Sequence, residues 1–177
     1  SSPRGESRQS LIMNIINAIN DGKYLLKMNN IKSPELDCEL LMSKVLKKNR
    51  SYVLINLDKN LKKGNLNNFK NLIWERSKGK PIAYLMMKKE FWDHEFEIKE
   101  GVLIPRPDTE IIVEQALNFS KNKSKLRILD IGTGSGCILL SILKERKNYN
   151  GTGIDISKKC IDMCKINSFN LNLRDHV

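Results

Sequence analysis

Residues 130–136 read Asp130-Ile131-Gly132-Thr133-Gly134-Ser135-Gly136. A short β-rich run, Leu126 to Ile131, leads into this stretch, and an apolar helical run, Cys137 to Leu143, leaves it. A tight strand-to-helix turn needs glycine where φ is positive and where a ligand approaches too closely for a Cβ. The N–H groups that open the helix then face the ligand. A second strand, Gly151 to Ile156, carries Asp155 at its end, 25 positions beyond Asp130. Strand ends lie close together in a strand–helix–strand unit. A carboxylate there can accept hydrogen bonds from both hydroxyls of an adenosine ribose. Ser157 can cap a following helix that contains Ile161, Cys164 and Ile166. This is the opening of a parallel α/β sheet.

The glycine spacing bears on the ligand. A nicotinamide dinucleotide loop reads G-x-G-x-x-G and faces a pyrophosphate. Here the third glycine comes one residue early, with an acid two positions before the first. The G-x-G-x-G spacing resembles the first motif of S-adenosylmethionine-dependent methyltransferases, whose ligand has no phosphate. A dinucleotide-dependent oxidoreductase is the weaker reading, and a plain tight turn beside a surface Asp the blandest.

Working outward, the segment before the loop reads as a β-hairpin and then a helix. Phe91, Trp92, Phe96 and Ile98 alternate loosely with charged residues, and Glu100-Gly101 is a turn signal before Val102-Leu103-Ile104. Pro105-Arg106-Pro107 stops the run. Asp108 or Thr109 can cap a helix whose apolar residues are Ile111, Ile112, Ala116 and Leu117. Up to Gly79 the pattern is helical. Leu11, Ile12, Ile15, Ile16 and Ile19 form one stripe. Ser33-Pro34-Glu35 opens a helix with Leu36, Leu40, Leu41 and Val45 on its buried face. Ser51 to Asn56 forms a short helix. Another carries Leu66, Phe69, Leu72, Ile73 and Arg76 and stops at Gly79. The expected division is a flexible tail or expression remnant over 1–10, a small helical bundle over 11–80, a β-hairpin linker over 81–107, and part of a Rossmann-like cofactor-binding domain over 108–177. The fold class is α/β. Two parallel strands and a hairpin are expected to leave an open sheet edge and one uncovered apolar face.

Composition narrows the classes. With 40% hydrophobic residues among 177, a core is feasible. No run reaches the roughly 18 apolar residues of a membrane-spanning helix, and no membrane association is expected. The N-terminus does not read as a secretion signal, because Leu11 to Ile19 is apolar on one face only. The four cysteines, Cys38, Cys137, Cys160 and Cys164, form no C-x-x-C pair, and no metal site is expected. A reducing cytoplasm is the expected location. The net charge of +11 fits either a phosphate-rich partner or a Lys- and Asn-rich composition with scattered lysines. Direct nucleic-acid binding stays open on the sequence.

The order and spacing of Pro81-Ile82-Ala83-Tyr84, Glu90-Phe91, Val102-Leu103-Ile104-Pro105-Arg106-Pro107-Asp108-Thr109-Glu110, the glycine loop and Asp155 resemble the HemK/PrmC family of release factor glutamine methyltransferases. The resemblance covers about Pro81 to Ile156, and the helical leader fits the family's N-terminal domain in size and position. Ile-Pro-Arg-Pro-Asp-Thr-Glu is its most specific piece. Sister enzymes that modify a ribosomal-protein glutamine differ after the Pro-Arg. Met87 stands where the family pattern has glycine.

The resemblance implies S-adenosyl-L-methionine as cofactor and peptide-chain release factors, through a glutamine-containing loop, as partners of a monomeric enzyme. Gly132, Thr133, Gly134, Ser135 and Gly136, with Asp130, would bind the cofactor, and Asp155 its ribose. Phe91 and the segment Arg106–Glu110, Thr109 included, would lie at a domain junction near the methyl-transfer centre. For Arg106 and Glu110, a structural ion pair or helix cap is an equal alternative. The helical domain would recognise substrate. The family's Asn-Pro-Pro-Tyr motif, which holds the substrate amide, falls beyond Val177. No catalytic residue is therefore assigned on this chain, and the chain alone is expected to be inactive. A protein- or RNA-docking module and a base methyltransferase are the competing readings.

Overall fold

The structure is a computed structural model that describes residues 13–177. The expected tail over 1–10 and the stripe residues Leu11 and Ile12 lie outside the described residues. The chain divides into two compact units, one up to Leu85 and one from Met86 to Val177.

The first unit is helical. Helix α1 (Ile15–Met28) starts at Asn14, whose side chain accepts the Asn17 N–H at 3.0 Å. It runs straight through Asn20, Asp21 and Gly22. Helix α2 (Pro34–Leu46) has Pro34 in its first turn, where a missing N–H costs nothing. Ser33 makes no side-chain capping bond. Helix α3 (Arg50–Ile55) is capped by Asn49 through the Tyr52 N–H, and α4 (Lys63–Ser77) gives way at Gly79, φ +92°. The core joins Ile15, Ala18, Ile19 and Leu26 of α1 to Cys38, Leu41 and Met42 of α2 and Phe69 and Ile73 of α4.

The buried face of α2 differs from the expected one. Leu36 is exposed, while Leu40 and Val45 are half-buried. Buried Asp37 turns inward because Arg76 of α4 donates from Nε to its Oδ2 at 2.7 Å. Arg76 also donates from Nη1 to the Lys80 carbonyl. An ion pair at a helix contact moves the apolar stripe by one position. Beside it, burial pushes the Cys38 thiol up to about 12.

A short helix, α5 (Ile82–Met86), occupies part of the segment expected to be hairpin linker. The hairpin itself is β1 (Lys88–Phe91) paired antiparallel with β2 (His94–Glu97). Its turn is Trp92-Asp93, with φ of 50° and 57°. Two positive values make the primed two-residue turn that matches strand twist. The expected turn at Glu100-Gly101 is real but lies outside the hairpin. Gly101 has φ +93°, the Val102 N–H returns to the Lys99 carbonyl, and Val102 to Ile104 form no strand. Val102 instead enters a core with Cys160 and Met163. Phe91 and Phe96 are both buried and meet edge to face, centroids 6.2 Å apart.

A 3-10 turn, Pro107–Thr109, leads into α6 (Glu110–Phe119). Thr109, a possible cap on the sequence, makes no side-chain capping bond, and the apolar residues Ile111 and Ile112 are exposed. Val113 is the residue that α6 buries. Strands β3 (Arg127–Ile131) and β4 (Asn150–Ile154) pair in parallel, Arg127 opposite Asn150 and Ile131 opposite Ile154. Strand β4 thus ends one residue before Asp155. Helix α7 (Cys137–Glu145) makes the crossover, and α8 (Lys158–Asn170) follows β4. The α/β class is as expected. One face of the sheet packs on the helices. The other exposes Leu129, Ile131 and Ile154. Among the described residues no helix is long and apolar enough to cross a membrane.

Candidate cofactor site

The site sits where β3 and β4 end side by side. The loop continues the ladder past the strands: the N–H groups of Gly132 and Thr133 both donate to the Ile154 carbonyl, at 2.8 and 3.0 Å. The chain then folds back, with the Gly136 N–H on the Thr133 carbonyl at 2.8 Å. This requires φ of +80°, +57° and +83° at Gly132, Gly134 and Gly136, a region costly to other residues. The glycines differ in their surroundings. A Cβ on Gly136 would fall 2.6 Å from Cys164 Sγ, so that glycine serves the packing of α7 on α8. A Cβ on Gly132 would meet nothing within 4 Å. That face of the loop is open to a ligand.

Two carboxylates brace the turn. The Thr133 hydroxyl donates to Asp130 Oδ2 at 2.8 Å. The Gly134 N–H donates to Asp155 Oδ2 at 2.9 Å, and the Ser157 N–H to Asp155 Oδ1 at 2.9 Å. The Ser157 and Gly134 N–H groups, in that order, hold the Asp155 carboxyl below the usual carboxylate range. Each oxygen keeps a further lone pair for an incoming hydroxyl. Ser157, expected to cap α8 with its side chain, contributes its backbone to Asp155 instead.

The expected residues fall into two groups. Asp130, Gly132, Thr133, Gly134, Ser135, Gly136 and Asp155 form one constellation. Within it the Thr133 and Ser135 side chains are buried. Phe91 and Glu110 are placed elsewhere. Glu110 accepts the Trp92 N–H through Oε1 at 2.9 Å, and the Trp92 indole donates to Glu145 at 3.1 Å. Glu145 is the last residue of α7, about 12 Å of helix rise from the loop at its start. The Glu110 side chain thus holds the hairpin turn, while its backbone N–H caps the 3-10 turn on the Pro107 carbonyl. Phe91 is packed in the hairpin core. Arg106 is exposed, and Thr109 ends the 3-10 turn.

Sequence reasoning missed Asn167. It is 1% exposed, on the buried stripe of α8 with Cys160, Met163 and Cys164. Its Oδ1 accepts the Glu97 N–H at 2.7 Å. Its Nδ2 donates to the Glu97 carbonyl at 3.0 Å and the Ser135 carbonyl at 2.9 Å. One amide thereby ties hairpin to glycine loop. The available signal was a polar residue at an apolar-periodic helix position.

This loop, acid and crossover define a methyltransferase type of α/β unit. In agreement, residues 109–176 match a methyltransferase domain model, and residues 17–86 match the PrmC N-terminal domain. The chain is 40% identical over 153 residues to a release factor glutamine methyltransferase of Buchnera aphidicola from Schizaphis graminum, covering 86% of this chain and 55% of that protein. It is 37% identical over 158 residues to the like-named protein of Leptospira interrogans, covering 89% and 55%. A bifunctional methyltransferase of Rickettsia conorii is 33% identical over 183 residues, covering 90% and 35%. Over these residues the chain is similar to release factor glutamine methyltransferases. It spans about half the length of the curated relatives it matches first.

Proposed function

We propose that residues 126–177 hold S-adenosyl-L-methionine, and that the protein to which this chain belongs methylates a glutamine side-chain amide in peptide-chain release factors. The observation that carries the cofactor reading is the Gly134–Asp155 contact beside the open face of Gly132. Charge supports it further. The loop carries no Lys or Arg and is flanked by two carboxylates, Asp130 and Asp155. That environment suits a sulfonium nucleoside and repels a pyrophosphate, against a dinucleotide.

When bound, the cofactor supplies an electrophilic methyl group. The chain's own residues do the holding. Loop backbone lies against the nucleoside, Asp155 accepts from the ribose hydroxyls, and Asn167 fixes the Ser135 carbonyl and so the loop's shape. A glutamine amide is a poor nucleophile, because its lone pair is delocalised into the carbonyl. Transfer depends on alignment with the methyl and on acceptors for the amide N–H groups as charge develops. No residue of this chain is assigned that task. The family names of the relatives and the Ile-Pro-Arg-Pro-Asp-Thr-Glu run support release factors as substrate. Four free thiols support a reducing cytoplasm as the location.

The test is transfer of labelled methyl to a purified release factor. A protein of the relatives' full length should label one glutamine. The 177-residue chain should not. Label on another side chain or on a nucleobase overturns the substrate reading.

A further inference from the structure

Between Lys121 and Lys147 the sequence has seven basic residues and two acids. Along the chain these look scattered. Parallel pairing of β3 with β4 changes that, because the loops that enter the two strands must lie at the same end of the sheet. The loop before β3 carries Lys121, Lys123 and Lys125. The loop before β4 carries Arg146 and Lys147, and Arg127 is exposed at the first rung. Lys121, Lys123, Arg146 and Lys147 line one hollow of about 500 Å³, with Ser124, Asn148 and one carboxylate, Glu145, as further polar groups.

None of these cations takes part in an ion pair among the described residues. Of the two acids of the segment, Asp130 bonds Thr133 at the opposite end of β3, and Glu145, the single carboxylate among the four cations of the hollow, accepts from the Trp92 indole through Oε1. The rim is held in shape. Tyr149 is 1% exposed, and its hydroxyl is shared between the carbonyls of Ser120 and Lys123, each at 2.9 Å. Five residues of strand, roughly 15 Å, separate this end from the glycine loop. The hollow is therefore no part of the cofactor site.

We propose that this end of the sheet docks the phosphate backbone of a structured RNA. Ammonium and guanidinium groups around a concave, hydroxyl- and amide-bearing hollow are the chemistry of backbone contacts, which position a protein without reading bases. An RNA fits better than an acidic peptide, because cations on two loops can follow successive phosphates.

The test is fluorescence anisotropy of a labelled RNA hairpin titrated with the chain at several salt concentrations. Two triple variants with equal net charge are compared. One is Lys121→Glu, Lys123→Glu and Lys147→Glu. The other is Lys62→Glu, Lys63→Glu and Lys70→Glu, three exposed lysines of the helical unit. The first should weaken binding about tenfold or more and flatten the log–log salt slope by about two to three. The second should change binding by less than about twofold. Both should melt with the parent chain; if the first triple unfolds, Lys121→Gln with Lys123→Gln replaces it. Equal loss in both triples would reduce the effect to diffuse charge and overturn the proposal. So would an absence of RNA binding, or displacement by polyglutamate as effective as by unlabelled RNA.

Discussion

The Gly134 N–H and the Asp155 carboxylate meet at 2.9 Å, joining a loop and a strand end that stand 21 residues apart in sequence. The acid therefore has a structural duty before any ligand arrives. Its two oxygens fix the loop at Gly134 and the start of α8 at Ser157.

That duty gives a pH dependence. The folded-state pKa of Asp155 is lowered, so its contribution to stability is complete above the unfolded carboxylate value of about 4. It is lost as pH falls through the lower folded value. Asp155→Asn should lower Tm at neutral pH, and its deficit against the parent chain should shrink below about pH 4. A deficit that grows on acidification contradicts the assignment.

The loop glycines should separate by what surrounds them. Gly136→Ala combines a positive φ with a Cβ in contact with Cys164 Sγ, and should cost about 2–4 kcal/mol in urea unfolding. Gly132→Ala meets no atom and should cost only the backbone strain, about 1–2 kcal/mol. Its larger effect should be on cofactor affinity. Equal destabilisation by the two changes would mean that the Gly136 contact with α8 is wrong.

Met87 has φ +63° and is 55% exposed, so its side chain gains little from burial while its backbone is strained. Met87→Gly should stabilise the chain by about 0.5–1 kcal/mol, strain relief exceeding the added freedom of the unfolded chain. A lowered urea midpoint would show that the side chain matters more than the turn.

Asn167→Ala removes the three hydrogen bonds of a buried amide and leaves the Ser135 carbonyl without its side-chain donor. It should cost about 2–4 kcal/mol and weaken cofactor binding as well. Asn167→Asp keeps the acceptor toward Glu97 but loses the donor to Ser135. If Asn167→Asp binds cofactor as the parent does, the link to the glycine loop is of no consequence to the site.

What was legible in the sequence was what the backbone demands. Three glycines announce positive φ at a strand end, and an acid after the next strand can only sit beside them. The hairpin turn was hidden because Trp92 and Asp93 take positive φ without a glycine, while Gly101 nearby offers the stronger turn signal. The buried face of α2 was misread at Leu36, since one buried ion pair, Arg76 with Asp37, shifts a stripe without changing its period. Asn167 and the basic hollow depend on residues brought together only by the fold. For Asn167 the chain offers only a polar residue at an apolar-periodic position, and for the hollow no pattern at all.

The central claim is tested most directly by calorimetric titration of S-adenosylmethionine into the parent chain and into Asp155→Ala, each checked for folding by circular dichroism. The account predicts one site per chain, displacement by S-adenosylhomocysteine but not by NAD, and a Kd at least about tenfold weaker in the variant. A folded parent chain that binds no S-adenosylmethionine, or binds it as tightly with alanine at position 155, would contradict it.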